Sequence, residues 1–312
     1  NVIRVGTDYY KVSTTMHLMP GAPIMKSKDL VNWEIISYVF DEIKDSPQYD
    51  LIDGNVYGRG QWASSLRYHK GTFYVLFATN SPQRTYIYKT NDPATKWEKH
   101  AQFDRTFHDC SLFIDEDERA YLIFGGGQIR LRELTPDLKA LKEGGEDKII
   151  IDGPAAGYKN LFEGTHVFKH EGKYYLYLIW WPQGGIRTQV CFRSDSLMGE
   201  FESKVVLSNT LDRRGAGLAQ GCIIDTPEGK WYGMLFQDRG AVGRVPVLMP
   251  CRWVDGWPML GDENGKVDKI MTSPLPLQKE TPLVVSDEFN STKLGITWQW
   301  NHNPDNAKWS LN

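Results

Sequence analysis

The chain has 312 residues, with 36 Lys and Arg against 39 Asp and Glu and a formal net charge of −3. That length allows one large domain or two ordinary ones, and a balance so near neutral gives no electrostatic footprint for nucleic acid or an anionic membrane. No apolar run reaches the roughly 18–20 residues that span a bilayer, and no basic start followed by an apolar segment is visible as a leader.

The chain opens inside a strand pattern, VGTDYYKVST, and the same pattern returns four times: HKGTFYVLFAT, DEDERAYLIFG, HEGKYYLYLIWW and PEGKWYGMLFQ. In each, a tight turn with Gly or acidic residues leads into an aromatic strand. The turn positions Asp8, Gly71, Glu118, Gly172 and Gly229 are 63, 47, 54 and 57 residues apart. A polar turn ending on an aromatic or apolar residue follows most of these strands, in SKDLVNWE, TNDPATKWEK, TPDLKAL and SDSLMGEFES. Short strands, even turn spacing and no long segment of helical period predict an all-β fold. A repeat of forty to sixty residues holding about four strands predicts a propeller. A single sandwich has too few strands for this pattern, and a TIM barrel needs amphipathic helices that are not present in the sequence.

The expected architecture is therefore a five-bladed β-propeller over residues 1–272. Residues 273–312 change character: SPLPLQKETPLVV is a Pro-rich linker, and DEFNSTKLGITWQW restarts a strand pattern. About 30 residues cannot close a core of their own, so they are expected to be the first strands of an incomplete C-terminal β-sandwich. Cys110, Cys191, Cys222 and Cys251 are widely spaced, with no metal-ligand or disulfide-scaffold pattern, and read as buried free thiols.

The segments QWASSLRYH, FHDCSLFID, FEGTHVFKH and AQGCIIDTP precede four of the aromatic strands, and each carries a polar or aromatic residue at its entry: Trp62, Asp109, Glu163 and Gln220. The repeat places Asp109 and Glu163 at equivalent positions of consecutive blades. Two carboxyls converging on one apolar-walled channel push each other's titration apart, an arrangement suited to glycoside hydrolysis. For Asp109 alone, a turn residue capping local backbone is an even alternative.

Read in order, VIRVGTDYYKVSTTMHLMPGAPIMKSKDLVNWEIIS, QWASSLRYHKGTFYVLF, FHDCSLFIDEDERAYLIFG, FEGTHVFKHEGKYYLY and FQDRGAVGRVPVLMPCRWVDGWPML resemble glycoside hydrolase family 43. The resemblance implies a five-bladed propeller of inverting, exo-acting pentosidases, chiefly β-xylosidases and α-L-arabinofuranosidases, often followed by a β-sandwich. It implies that Glu163, in EGTH, is the general acid. Asp109, in HDCSLF, would orient that acid and raise its pKa. The family's general base is an Asp just before the first strand, a position ahead of Asn1 and outside the sequence shown. Trp62 matches a pocket-lining Trp, although a blade-core role is equally open. Arg244, in GAVGRVP, matches an Arg that reaches sugar hydroxyls. His17, in TTMHLMPG, is expected to border the pocket or to pack locally.

Gln220 belongs to the substrate-binding set. It stands in Ala219-Gln220-Gly221 where many members have His-Gln-Gly. That His often helps to hold a metal, so Ala219 weakens the case for a Ca²⁺ in the channel; no cofactor is required and no metal ligand is assigned. The implied activity is removal of terminal α-L-arabinofuranosyl residues from plant cell-wall polysaccharides or oligosaccharides. A β-D-xylosidase, a bifunctional enzyme or a non-catalytic pentose-binding propeller are the alternatives. Expected partners are arabinose- or xylose-containing oligosaccharides and the C-terminal sandwich, with no nucleic acid or membrane. An extracellular or periplasmic location is favoured over a cytoplasmic one.

Overall fold

The computed structural model describes residues 1–212, 216–278, 280–282 and 284–311. Its first sheet holds β1 (Val2–Val5), β2 (Asp8–Val12), β4 (Gly21–Ser27) and β5 (Glu34–Phe40), with the two-residue β3 (Leu18–Met19) left outside. The second runs β6 (Gln61–His69), β7 (Thr72–Asn80), β8 (Gln83–Thr90), β9 (Glu98–Phe103). The third runs β10 (Ser111–Ile114), β11 (Ala120–Phe124), β12 (Gln128–Leu134), β13 (Asp147–Asp152). The fourth comprises β14 (Leu161–His170), β15 (Lys173–Trp181), β16 (Thr188–Ser194) and β17 (Glu202–Leu207). The fifth comprises β18 (Leu218–Asp225), β19 (Trp231–Asp238), β20 (Arg244–Val254) and β21 (Trp257–Leu260). Each sheet is a meander in chain order, so the protein is all-β with the five blades of a β-propeller. Near the C-terminus β22 (Trp300–Asn301) pairs with β3.

The repeated aromatic segments are the second strands of the five sheets, β2, β7, β11, β15 and β19. Their middles are apolar on successive residues because neighbours cover both faces; β15 is buried continuously from Tyr175 to Ile179. The polar turns lie between third and fourth strands, and one device recurs there. A side-chain oxygen accepts a backbone N–H two residues on: Asp29 from Val31, Asp92 from Ala94, Asp137 from Lys139, Ser196 from Met198. In three of these turns the next residue is a leucine that anchors the turn in the core, Leu30, Leu138 and Leu197. The fifth sheet replaces this device with a two-residue turn, Asp255-Gly256, both at positive φ.

The chain divides into two compact units, Asn1–Arg4 with Phe107–Pro274 and Val5–Thr106 with Leu275–Asn312. Within the first, one apolar cluster joins the third and fourth sheets through Phe113, Tyr121, Phe162 and Phe192. A second joins the fourth and fifth through Tyr175, Tyr177, Met249 and Trp257. The second unit buries Tyr9, Tyr49, Phe77 and Tyr86 completely or nearly so. All four cysteines are buried and unpaired.

Candidate active site

The first strands of three sheets share one irregularity. In β6, β14 and β18 the ladder to the second strand slips by one residue, between Gln61 and Ser64, Glu163 and His166, and Ala219 and Gly221. Each slip is a bulge, which re-aims the side chains at its position while the ladder resumes on either side. Trp62 and Gln220 lie within these bulges, and Glu163, paired with Ile179, is the last ladder residue before its own. Asp109 holds the corresponding place just before β10, and both it and Gln220 adopt left-handed backbone, with φ of 45° and 61°.

Asp109, Glu163 and Gln220 come together within the first unit. Gln220 donates through Nε2 to Asp109 Oδ2 at 3.1 Å, and its backbone N–H donates to the buried Gln189 side chain at 2.8 Å. Thr165 Oγ1 donates to the carbonyl oxygens of Asp109 and Ile123, both at 2.9 Å, which ties β14 to the third sheet. The sequence reading passed over the residue nearest to Glu163. His108 Nε2 and Glu163 Oε2 share a hydrogen bond of 2.8 Å. The FGGGQ run after β11 lets this pair form: Gly125 N–H donates to His108 O and Gly127 N–H to Phe162 O. A Cβ on Gly126 would stand 3.7 Å from both Glu163 Oε2 and His108 Cδ2.

Electrostatics separates the two carboxyls by environment. Burial pushes Asp109 above the ordinary carboxyl range; the Glu163 charge adds to this, while His108, Arg244 and the Gln220 hydrogen bond oppose it. Glu163 keeps 27% of its side chain exposed, so it remains reachable from solvent. Its hydrogen bond raises His108 above the usual imidazole value against the opposing effect of burial. The three groups therefore form one cluster of adjacent titratable side chains.

Two arginines and an aspartate extend the site along the fourth and fifth sheets. Arg244, exposed, lies over the Phe236 ring at 4.7 Å and 4.0 Å from Asp238 Oδ2. Arg187, just ahead of β16, also drew no attention in the sequence. It is buried over Trp181, 4.3 Å from the ring centroid, with Nη2 3.5 Å from Asp238 Oδ2. A lone Arg after Gly-Gly in a hairpin loop carries no sequence signal, whereas His108 adjoins Asp109 in the FHDCSLF segment.

Trp62 and His17 belong to the second unit. The Trp62 indole N–H and His17 Nδ1 are buried without a hydrogen-bond partner. His17 sits edge-on to Tyr57 at 4.7 Å and beside His302 at 5.2 Å. His108, Asp109 and Glu163 offer one nitrogen and two carboxyl oxygens within 4.8 Å of one another, the one such group found among the described residues. Ca²⁺ takes six to eight oxygen ligands. Here one donor is an imidazole, and Asp109 and Glu163 are engaged by Gln220 and His108, so the donor set does not fit a Ca²⁺ cage.

Residues 1–258 match the profile of Glycosyl hydrolases family 43, and residues 286–312 match that of the Beta xylosidase C-terminal Concanavalin A-like domain. The chain is 31% identical over 351 aligned positions to a Beta-xylosidase of Formosa agariphila, covering all of this chain and 58% of that protein. It is 28% identical to the Non-reducing end alpha-L-arabinofuranosidase of Bacteroides ovatus, covering all of this chain and 60% of the relative. Among solved structures, the Bifunctional GH43-CE protein of Bacteroides eggerthii superposes with a TM-score of 0.90 at 44% identity, over all of this chain and 40% of that one. The chain thus spans about three-fifths of the length of the curated relatives it matches.

Proposed function

Because the chain belongs to glycosyl hydrolase family 43, we propose that it forms the catalytic part of an exo-acting, inverting hydrolase of terminal pentosides. α-L-Arabinofuranosides are the preferred substrates and β-D-xylosides the second reading, favoured by the Beta-xylosidase relative. The observation that carries the proposal is the meeting of Asp109, Glu163 and His108 within 4.8 Å.

In this mechanism Glu163, exposed enough to meet a leaving oxygen, donates its proton to the glycosidic oxygen as the bond to the anomeric carbon breaks. Asp109 disfavours a second negative charge and so keeps a proton in the cluster. His108 fixes the Glu163 carboxyl through Oε2. Arg244 donates to sugar hydroxyls, and Gln220 holds Asp109 beside them. A second carboxylate, roughly 6.5–9.5 Å from the acid, activates water on the opposite face in an inverting enzyme. That role falls to the Asp expected ahead of β1. Support comes from Asn1, whose Nδ2 lies 2.7 Å from His166 Nδ1 on β14, the strand that carries Glu163. Residues 273–312 serve as a linker and a segment of the C-terminal sandwich; the strands expected there reduce, among the described residues, to β22, which pairs with β3.

Assays with nitrophenyl α-L-arabinofuranoside and β-D-xyloside, with the first-formed anomer read by NMR, test the proposal. An inverted anomer is expected from at least one substrate. A retained anomer would remove the inverting assignment. Pentose binding without turnover would leave a sugar-recognition propeller.

A further inference from the structure

Arg187 is a buried cation with an unused donor. The residue is 8% exposed, and its Nη1 is buried without a hydrogen-bond partner. Leaving a charged donor dry and unpaired is costly, so the position calls for an acceptor. Its guanidinium is held in place by Trp181 at 4.3 Å and Phe236 at 5.7 Å.

Strand register puts Arg187 at the Glu163 end of the fourth sheet. Trp180 pairs with Phe162 on one side and Thr188 on the other, so Glu163 and Arg187 each lie one residue from the same row. Asp238 pairs with Arg244 at the end of β19. Its Oδ1 accepts from Gly240 N–H at 3.0 Å. Its Oδ2 lies 3.5 Å from Arg187 Nη2 and 4.0 Å from Arg244 Nε. Both separations exceed the roughly 2.7–2.9 Å of a charge-assisted hydrogen bond, so Asp238 Oδ2 has acceptor capacity to spare.

We propose that Arg187 is a specificity-determining residue of the sugar site: its Nη1 donates to one hydroxyl of the bound terminal pentose, and Asp238 accepts from that hydroxyl or its neighbour. A hydroxyl both donates and accepts and so satisfies a guanidinium and a carboxylate together. A carboxylate-bearing sugar would instead meet Asp109, Glu163 and Asp238. This assignment rests on the pentosidase reading and deepens it.

The test compares wild type, Arg187→Met and Arg187→Lys on nitrophenyl α-L-arabinofuranoside and its 2-, 3- and 5-deoxy analogues. Arg187→Met should lower kcat/KM on the parent by about 10–100-fold, yet scarcely on the one analogue that lacks the partner hydroxyl. Equal losses on all four substrates, or none on any, would overturn the assignment. A structural role makes a different prediction for thermal unfolding. Here Arg187→Met should keep or raise the Tm of the free protein and abolish the upward shift given by L-arabinose. A lowered free-protein Tm with an intact arabinose shift would refute the proposal. If neither variant folds, the wild-type panel decides, and no analogue losing more than about threefold would be the refuting result. A larger Tm shift with glucuronic acid than with arabinose would overturn the neutral-sugar assignment. Should wild type hydrolyse no pentoside, the pentosidase reading falls, while the arabinose and glucuronic acid shifts still test Arg187.

Discussion

Asp109→Asn removes one charge from the cluster of titratable side chains without changing its shape, since Gln220 can turn its amide to meet the new side chain. The Asp109 and Glu163 oxygens lie within 4.8 Å. At an effective dielectric of about 20, two unit charges at that distance repel by about 3.5 kcal/mol. His108 and Arg244 already offset part of this, so the net effect is smaller than the bare repulsion. The sign follows from the repulsion. In wild type the last proton of the pair is retained to higher pH; in the Asp109→Asn variant it leaves earlier. The alkaline limb of kcat/KM should therefore move down, costing about 10–100-fold above the limb and little on the acid side. Stability moves the other way. Asp109 is raised in the fold, so its ionisation opposes folding as pH rises above the unfolded carboxyl range. The Tm of Asp109→Asn should exceed that of wild type at pH 7, and the gap should close toward pH 4. Measured pH–rate profiles with an unmoved alkaline limb would remove Asp109 from the acid's proton management.

Glu163→Gln keeps the shape of the acid but carries no transferable proton. Turnover of arabinosides with alkoxide leaving groups should fall by about 10²–10⁴-fold, while nitrophenyl glycosides, whose leaving group needs no proton, should lose far less; equal losses on both would point to another role. His108→Gln removes a cation that favours the charged carboxylate, so the alkaline limb should move up, opposite to Asp109→Asn, and a downward shift would sink the pairing. The His108 pKa is raised in the fold, so its contribution to stability should be complete below about pH 6.5 and lost as pH rises through its folded value. Gly164 has a φ of 77°, and a Cβ there would meet the Gln220 side chain at 3.0 Å. Gly164→Ala should therefore cost about 1–2 kcal/mol in thermal unfolding and partly reproduce the pH profile of a Gln220→Ala variant; wild-type Tm and profile would refute the close contact.

The repeat was legible because burial is periodic in the sequence: an aromatic second strand covered on both faces leaves an apolar run that returns once per sheet. The polar turns were legible for a local reason, since Asp29, Asp92 and Asp137 bond their own backbone wherever they occur. Asp109 and Glu163 stood out as the polar entries of equivalent strands. His108 did not, because its contact with Glu163 joins two sheets 55 residues apart in sequence, and no local pattern encodes that. Arg187 was hidden for another reason. Its significance lies in a guanidinium whose Nη2 approaches Asp238, about fifty residues away in sequence, while its Nη1 has no partner, and no local spacing encodes that.

The bulges in β6, β14 and β18 behave like a punctuation mark in a reading frame. Because side chains alternate faces with a period of two, the extra residue is what returns the remainder of each strand to its proper phase. Swapping the residue at such a position leaves that phase untouched, and the bulged stretch already carries Trp62 in β6, Gly164 in β14 and Gln220 in β18. Deleting it would invert the facing of everything on one side. In β18 that would turn buried Cys222 and its neighbours out of register with β19. Substitution there can redraw what the site recognises, while a one-codon deletion would act on the core as a frameshift acts on a message.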